Sequence, residues 1–189
     1  MPPVNDNFAD AITISGTTTQ LVSLVDATTE ESGVPDVWYK ITPGADQAIR
    51  IDLEKVSGGG GIFPAVWVYE QTGTTELDLV DHFLNDVNPI GEVADDFQSP
   101  FAFLLNSGTT YYLEGYQSDF NNGITFDMTV TFVTRPANDD WEDAIVIDQA
   151  GGTQVVASTI NATVQNNSEE IVNNYPSVWY RVEAIDDEK

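Results

Sequence analysis

The chain has 189 residues, of which 41% are hydrophobic and 11% aromatic, so it has enough apolar side chains for a folded core and is not an intrinsically disordered chain. Its 31 acidic residues against 6 basic ones give a net charge of −25, which argues against binding to nucleic acid or to anionic lipid. The sequence has no cysteine and one histidine, which excludes disulfide and thiol chemistry and most catalytic designs, and it has no apolar run long enough to insert into a membrane.

The first motif along the chain is PVNDNFADAITI at residues 3–14. We expect Asn5 to cap one helical turn over residues 6–11, with Phe8 packed under the body of the protein. A short strand is predicted at 11–15. The segment lacks the basic flank and apolar stretch of a secretory signal, so we expect a signal either to have been removed or not to be needed.

Runs rich in β-branched and aromatic residues predict further strands, over residues 21–27, 37–42, 48–53, 63–70, 76–83, 101–105 and 110–117. Turn signals rich in Gly and Asn separate several of them. The clearest strand is 124–132, where every even position is large and apolar and every odd position is Thr or Asp. Short strands in this arrangement predict an all-β fold, an antiparallel β-sandwich of jelly-roll or Greek-key type.

The opening motif returns later in the chain. Seven of the twelve residues at 3–14 are identical at 136–147, PANDDWEDAIVI. Ala27-Thr28 then corresponds to Ala162-Thr163, and PDVWYK at 35–40 corresponds to PSVWYR at 176–181. Three blocks in the same order indicate an internal repeat. We therefore predict a complete first module over residues 1–134 and the N-terminal part of a second module over 135–189, which further sequence or another chain would have to complete.

Four blocks of the sequence together resemble the bacterial pre-peptidase C-terminal domain family. They are NDNFADA, the Gly-Thr pair after it, the VWYK stretch and the later block GTTYYLEGY at 108–116. The resemblance implies a β-sandwich module of the kind found in secreted peptidases, adhesins and other surface proteins, and in virion proteins of tailed bacteriophages. It also implies that the module binds, spaces or stabilises rather than catalyses. Clostridial collagen-binding modules, which the chain resembles more distantly, hold calcium with an Asn-Asp segment and acidic residues before the aromatic strand.

One candidate metal site has the oxygen ligands that calcium prefers. Its residues are Asn5, Asp6, Glu30, Glu31 and Asp36. The repeat would bring the opening segment near the loop before the VWY strand, so calcium is a candidate ligand, while no cofactor is required. The alternative is an ordinary cap surrounded by solvated charge, and Ser177 in place of Asp36 in the second module favours it.

Two aromatic pairs each share one face of a predicted strand, and they form a candidate interface if those faces are exposed. The pairs are Trp67 with Tyr69 and Tyr112 with Tyr116. For the neighbours Trp38 and Tyr39 we expect one side chain in the sandwich core and the other facing outward, because adjacent strand residues point to opposite faces.

Other polar candidates do not indicate catalysis. His82 is predicted to lie on the surface of a strand, because no GxSxG motif accompanies it. The acidic cluster of Glu92, Asp95 and Asp96 lacks the spacing of a calcium-binding loop and is predicted to be a solvated loop.

The sequence therefore predicts a non-enzymatic structural or binding protein in an oligomeric assembly with other virion or surface protein chains. The first hypothesis is a tailed-bacteriophage virion component, a tail or capsid-surface protein, because the modules follow directly on a Met without a signal and the second one is incomplete. The alternative is an accessory adhesion or calcium-binding module of a secreted bacterial adhesin or peptidase, located outside the cell or on its surface.

Overall fold

The computed structural model describes residues 1–29, 34–57, 64–71, 91–94, 102–117, 123–147, 158–163 and 177–182, with only the backbone described at 91–94. These ranges contain the strands β1 Ile12–Thr13, β2 Thr18–Ser23, β3 Asp36–Ile41, β4 Gln47–Ser57, β5 Pro64–Glu70, β6 Gly91–Ala94, β7 Phe103–Leu105, β8 Tyr111–Gln117, β9 Thr125–Val133, β10 Ile145–Ile147 and β11 Tyr180–Val182. They also contain two short 3₁₀ helices, Phe8–Asp10 and Trp141–Asp143.

Strands β1 to β9 form two sheets that share one core. One sheet has the order β1-β3-β8-β5-β6 and the other has the order β2-β9-β4-β7. The described pairs in both sheets are antiparallel except for β1 and β3, which are parallel. Neighbours such as β3 and β8, or β4 and β9, are distant in sequence, as in Greek-key connections. The predicted antiparallel β-sandwich is confirmed.

The core lies between the sheets and is built by alternation along the strands. In β9, Phe126, Met128 and Val130 are buried, while the intervening residues point outward and are only partly buried, as the period of two predicts. Tyr39 from β3 and Tyr111 from β8 belong to the same core.

Several predicted boundaries were wrong, and the reasons are local. The strand predicted at 21–27 is β2, which ends at Ser23, because Asp26 has a φ of 62° and the chain turns there. β6 was not predicted, since its residues include Glu92 from the supposed acidic loop. Backbone pairing with β5 places Glu92 opposite Trp67. The strand predicted at 76–83 lies outside the described residues.

The opening turn forms as predicted, but its cap was assigned to the wrong residue. The 3₁₀ helix Phe8–Asp10 has Asn7 at its N-cap position, and that side chain makes no capping hydrogen bond. The side chain of Asn5 instead donates to the backbone carbonyl of Trp38 at 3.0 Å. Asn5 therefore fixes the opening segment to β3 and does not cap the helix.

The described part of the second module repeats the first in three dimensions. β10 and β11 pair in parallel with Ile145 opposite Tyr180, as β1 and β3 pair with Ile12 opposite Tyr39. The 3₁₀ helix Trp141–Asp143 precedes β10 as Phe8–Asp10 precedes β1. The module boundaries at 1–134 and 135–189 stay a prediction.

Candidate functional site

The outer face of the five-stranded sheet is the most distinctive surface of the first module. It carries alternate residues of β3, β8 and β5, which lie in rows across the sheet because their strands are in register. The rows are Asp36–Tyr116–Ala65, Trp38–Glu114–Trp67 and Lys40–Tyr112–Tyr69. This face is therefore rich in aromatic rings and carries two acidic side chains, Asp36 and Glu114.

The opening segment covers part of this face and makes a small second core. Trp38, Tyr69 and Tyr112 are buried there with Ala11, and Phe8 packs against them. The Phe8 ring lies 4.2 Å from the Tyr112 ring and 5.4 Å from the Trp38 ring, centre to centre. As expected, Tyr39 enters the main core and Trp38 points to the other face, but the opening segment keeps Trp38 out of solvent.

Glu114 lies inside this aromatic layer and is fully buried. The Tyr69 hydroxyl donates to Glu114 Oε2 at 2.5 Å. Burial of the ring, and then the nearby charge of Glu114, raise the pKa of Tyr69 above its ordinary value. The tyrosine therefore stays protonated and donates a hydrogen bond to Glu114.

The four residues of the predicted interface all lie on this outer face, and the structure brings them together. Tyr69 and Tyr112 are buried under the opening segment. Trp67 and Tyr116 are half-buried, and the indole Nε1 of Trp67 donates to the Tyr116 hydroxyl at 2.8 Å. The accessible part of the predicted interface is thus the Trp67–Tyr116 pair, whose flat rings suit packing against a partner. An interface at this pair stays a prediction.

The described residues of the predicted calcium site form hydrogen bonds within the protein. The two carboxylate oxygens of Asp6 accept from the backbone N–H and the hydroxyl of Thr28, both at 2.7 Å. Asp36 Oδ1 accepts from the indole Nε1 of Trp38 at 3.2 Å. Because the amide nitrogen of Asn5 binds Trp38 O, these three residues tie the opening segment and the turn at Thr28 to β3.

Glu30 and Glu31 lie outside the described residues. Within the described ranges, no group of three or more His, Cys, Asp or Glu side chains could hold a metal ion. Calcium binding by the predicted set of residues therefore stays a prediction.

The same arrangement occurs in the second module, and we call it the Asn-Asp clamp. Asn138 Nδ2 donates to the carbonyl of Trp179 at 2.8 Å, as Asn5 does to Trp38. Asp139 accepts from the backbone N–H of Thr163 at 2.8 Å and from its hydroxyl at 2.6 Å. The clamp is therefore a structural unit of the repeat, made of Asn, Asp, Thr and Trp.

Each clamp holds a turn of the same conformation. Asp26 and Asn161 both have a φ of 62°, a conformation that Asp and Asn tolerate better than most residues. In both turns the next residue, Ala27 or Ala162, donates its N–H to the carbonyl three positions earlier, at 3.2 Å and 3.0 Å. The sequence signal for these turns was the Ala-Thr pair that recurs in both modules, although its role as the partner of the clamp was not predicted.

The turn of the second module is bonded to the first module, and we call this contact the junction. The backbone N–H of Ala102 donates to the carbonyl of Ala162 at 2.9 Å, and Ala102 and Thr163 form an isolated parallel bridge. A guanidinium nitrogen of Arg50 reaches the side-chain oxygen of Asn161 at 3.4 Å. The junction therefore lies beside β7, at an edge of the four-stranded sheet.

His82, Asp95 and Asp96 lie outside the described residues. Within the described ranges, no helix is long and apolar enough to span a membrane.

The comparisons with known proteins find likenesses among solved structures. No protein-family model and no curated protein matches the chain. The chain is similar to the crystal structure of the pre-peptidase C-terminal domain of a collagenase from Bacillus anthracis, with a TM-score of 0.39 and 16% identity. That similarity covers 64% of this chain and 94% of the collagenase domain.

Proposed function

We propose that the chain is a non-enzymatic structural and binding protein built from tandem β-sandwich modules. The observation that carries the proposal is the junction, where the backbone of the second module is hydrogen-bonded to an edge of the first. A junction made of backbone bonds fixes the distance and orientation of neighbouring modules, which is what a spacing or scaffolding protein needs.

Further contacts around the junction support this proposal. Arg135 is the first residue of the predicted second module, and one of its guanidinium nitrogens is 3.0 Å from Asp139 and 3.1 Å from Asp140. Asp139 in turn holds Thr163, whose neighbour Ala162 accepts from Ala102. Hydrogen bonds therefore run from Arg135, where the predicted second module begins, to the junction, and they favour a rigid connection over a flexible linker.

The narrower assignment is a virion component of a tailed bacteriophage, a tail or capsid-surface protein that assembles with other copies or chains. The modular build without a catalytic motif and the absence of cysteine support it. The second candidate is an accessory adhesion or calcium-binding module of a secreted bacterial protein. The net charge of −25 and the burial of the carboxylates of Asp6 and Asp36 favour that candidate.

Hydrogen exchange measured on the full chain tests the junction. We expect the amide of Ala102 to be protected, and we expect Asp139→Asn to speed its exchange by about tenfold, because the variant loosens the turn that Thr163 anchors. Asp6→Asn is the matched control, since it weakens the equivalent clamp of the first module and leaves the junction intact. An unprotected Ala102 amide in the unaltered chain would contradict a fixed junction.

Light scattering and thermal unfolding, with and without a calcium chelator, distinguish the two narrower assignments. An oligomer that is indifferent to calcium supports the virion assignment. A monomer whose melting temperature falls when calcium is removed supports the secreted module instead.

A further inference from the structure

We propose that the turn at residues 26–28 of the first module, which we call the first turn, docks on the strand edge of another module of the same kind. The partner presents a main-chain edge like the one at Ala102, with an arginine beside it as Arg50 lies beside that edge. The proposal deepens the tandem-module function proposed above and rests on it. Its basis is that the equivalent turn of the second module docks in this way at the junction.

That equivalent turn, residues 161–163, is called the second turn, and it shows what such a turn binds. The carbonyl of Ala162 accepts from the backbone N–H of Ala102 at 2.9 Å, and Thr163 forms a parallel bridge with Ala102. The side-chain oxygen of Asn161 accepts from a guanidinium nitrogen of Arg50 at 3.4 Å. Main-chain and side-chain contacts therefore both hold the second turn on the edge of the first module.

The first turn is built in the same way. Asp26 and Asn161 share a φ of 62°, and each turn ends in a threonine that the aspartate of its clamp holds through two hydrogen bonds. In both turns the alanine N–H donates to the carbonyl three positions earlier. Because the conformation and the anchor are the same, the first turn presents the carbonyl of Ala27 as the second turn presents that of Ala162.

The two turns differ in how far they are covered. Ala162 and Thr163 are 0% and 2% exposed, in the turn that meets the first module. Ala27 is half-buried and Thr28 is exposed. The first turn therefore carries at the surface the same backbone groups that the second turn uses in the junction, and main-chain pairing with a strand edge is a common mode of protein recognition.

The side chain of Asp26 indicates the charge of the partner. Asp26 occupies the position of Asn161, which contacts the guanidinium of Arg50. Its side chain is 61% exposed and binds a cation, the N-terminal ammonium of Met1, at 2.6 Å. Hydrogen bonds between a carboxylate and a guanidinium are stronger than those that an amide oxygen makes. An edge with an arginine beside it therefore complements the first turn in charge as well as in backbone groups.

The test adds one module ahead of the full chain. Residues 1–135 are joined to residues 3–189, so that Pro3 follows Arg135 as Pro136 does in the unaltered chain. This connection removes the ammonium that binds Asp26 and places the added module before the first turn. Amide hydrogen exchange is measured by NMR with isotopic labelling of the added module alone. We expect the Ala102 amide of the added module to be as well protected as that of the unaltered chain, because the first turn covers it.

Two variants with the same change of charge make the test specific. Asp26→Lys after the added module sets a cation against Arg50, so the Ala102 amide of the added module should exchange about tenfold faster. Asp10→Lys, at an exposed residue outside the turn, should leave that exchange unchanged. Equal exchange in the two variants would overturn the role of Asp26.

An unprotected Ala102 amide in the added module would overturn the proposal as a whole. The Ala102 amide of the unaltered chain is covered by the second turn, so it reports on the proposed function and not on the first turn. Protection in the unaltered chain without protection in the added module would therefore remove this proposal and leave the proposed function standing.

Discussion

Asp6 and Thr28 are joined by two hydrogen bonds of 2.7 Å, one to each carboxylate oxygen. The pair links residues that are 22 positions apart, and Asn5 beside it is bonded to Trp38 in both directions through its side chain and its backbone. The opening segment, the turn and β3 are thereby held together by polar contacts. Such bonds are strong because one partner is charged and buried.

The first prediction concerns this pair. Asp6→Asn should lower the free energy of unfolding by about 1–3 kcal/mol, because the amide NH₂ replaces an acceptor where Thr28 offers two donors. Chemical denaturation followed by fluorescence measures the change. Asp10→Asn, at an exposed position, should change stability by less than about 0.5 kcal/mol. Equal effects of the two variants would contradict a structural role for the clamp.

The second prediction concerns a close backbone approach. A Cβ added at Gly123 would lie 2.5 Å from the carbonyl oxygen of Leu24 and 2.6 Å from the nitrogen of Val25. Gly123→Ala should therefore destabilise the protein by about 1–3 kcal/mol. Gly44→Ala is the matched control, because a Cβ there meets nothing within 4 Å. If Gly123→Ala unfolds at the same denaturant concentration as the unaltered chain, the turn at Leu24 is not packed as described.

The third prediction compares two equivalent aromatic residues in different surroundings. Phe8→Ala should lower the free energy of unfolding by about 2–4 kcal/mol, because the ring packs against Trp38 and Tyr112. Trp141→Ala should lower the free energy of unfolding much less, since the Trp141 side chain is 56% exposed. Thermal unfolding of both variants checks the difference. A larger loss for Trp141→Ala would mean that its ring is covered in solution.

The fourth prediction concerns stability at high pH. Burial raises the pKa of Tyr39, Tyr69, Tyr111 and Tyr112 above the ordinary 10.0. Below pH 10 the folded and unfolded states both keep these protons, so stability is unaffected. As the pH rises above 10, the unfolded chain loses protons that the folded chain retains, and stability falls by up to about 1.4 kcal/mol per pH unit for each such tyrosine.

Urea unfolding at pH 9, 10 and 11 measures this decline. Tyr69→Phe removes one of the protons concerned and should make the decline shallower, even though it weakens the protein at neutral pH by removing the bond to Glu114. A decline that is unchanged in Tyr69→Phe would show that this tyrosine does not contribute to it.

The sandwich was predictable because the strands can be recognised from the pattern of apolar residues within each short segment. The alternation at 124–132 depends only on which side chains are apolar, and it corresponds closely to β9, Thr125–Val133. The end of β2 was not predictable in this way, because it depends on the φ of Asp26 and on the clamp that holds the turn. The alternation of apolar residues and the strand propensities of residue types carry no information about contacts between distant segments.

In the candidate site, too, local sequence patterns were predictable and contacts between distant residues were not. The repeat singled out Asn5, Asp6 and Ala27-Thr28, but only three-dimensional pairing shows that Asp6 bonds to Thr28. Glu114 was part of a motif and yet was not a candidate, because its burial results from the opening segment covering the outer face of the sheet. A charged residue in the middle of an aromatic strand is a signal that could have identified it.

The junction joins main chain to main chain through Ala102, Ala162 and Thr163. Backbone groups are the same in every residue except proline, so such a contact tolerates wide divergence of the side chains around it. Successive modules in an array of this kind can change their surfaces, and hence what they recognise, while keeping their mutual geometry.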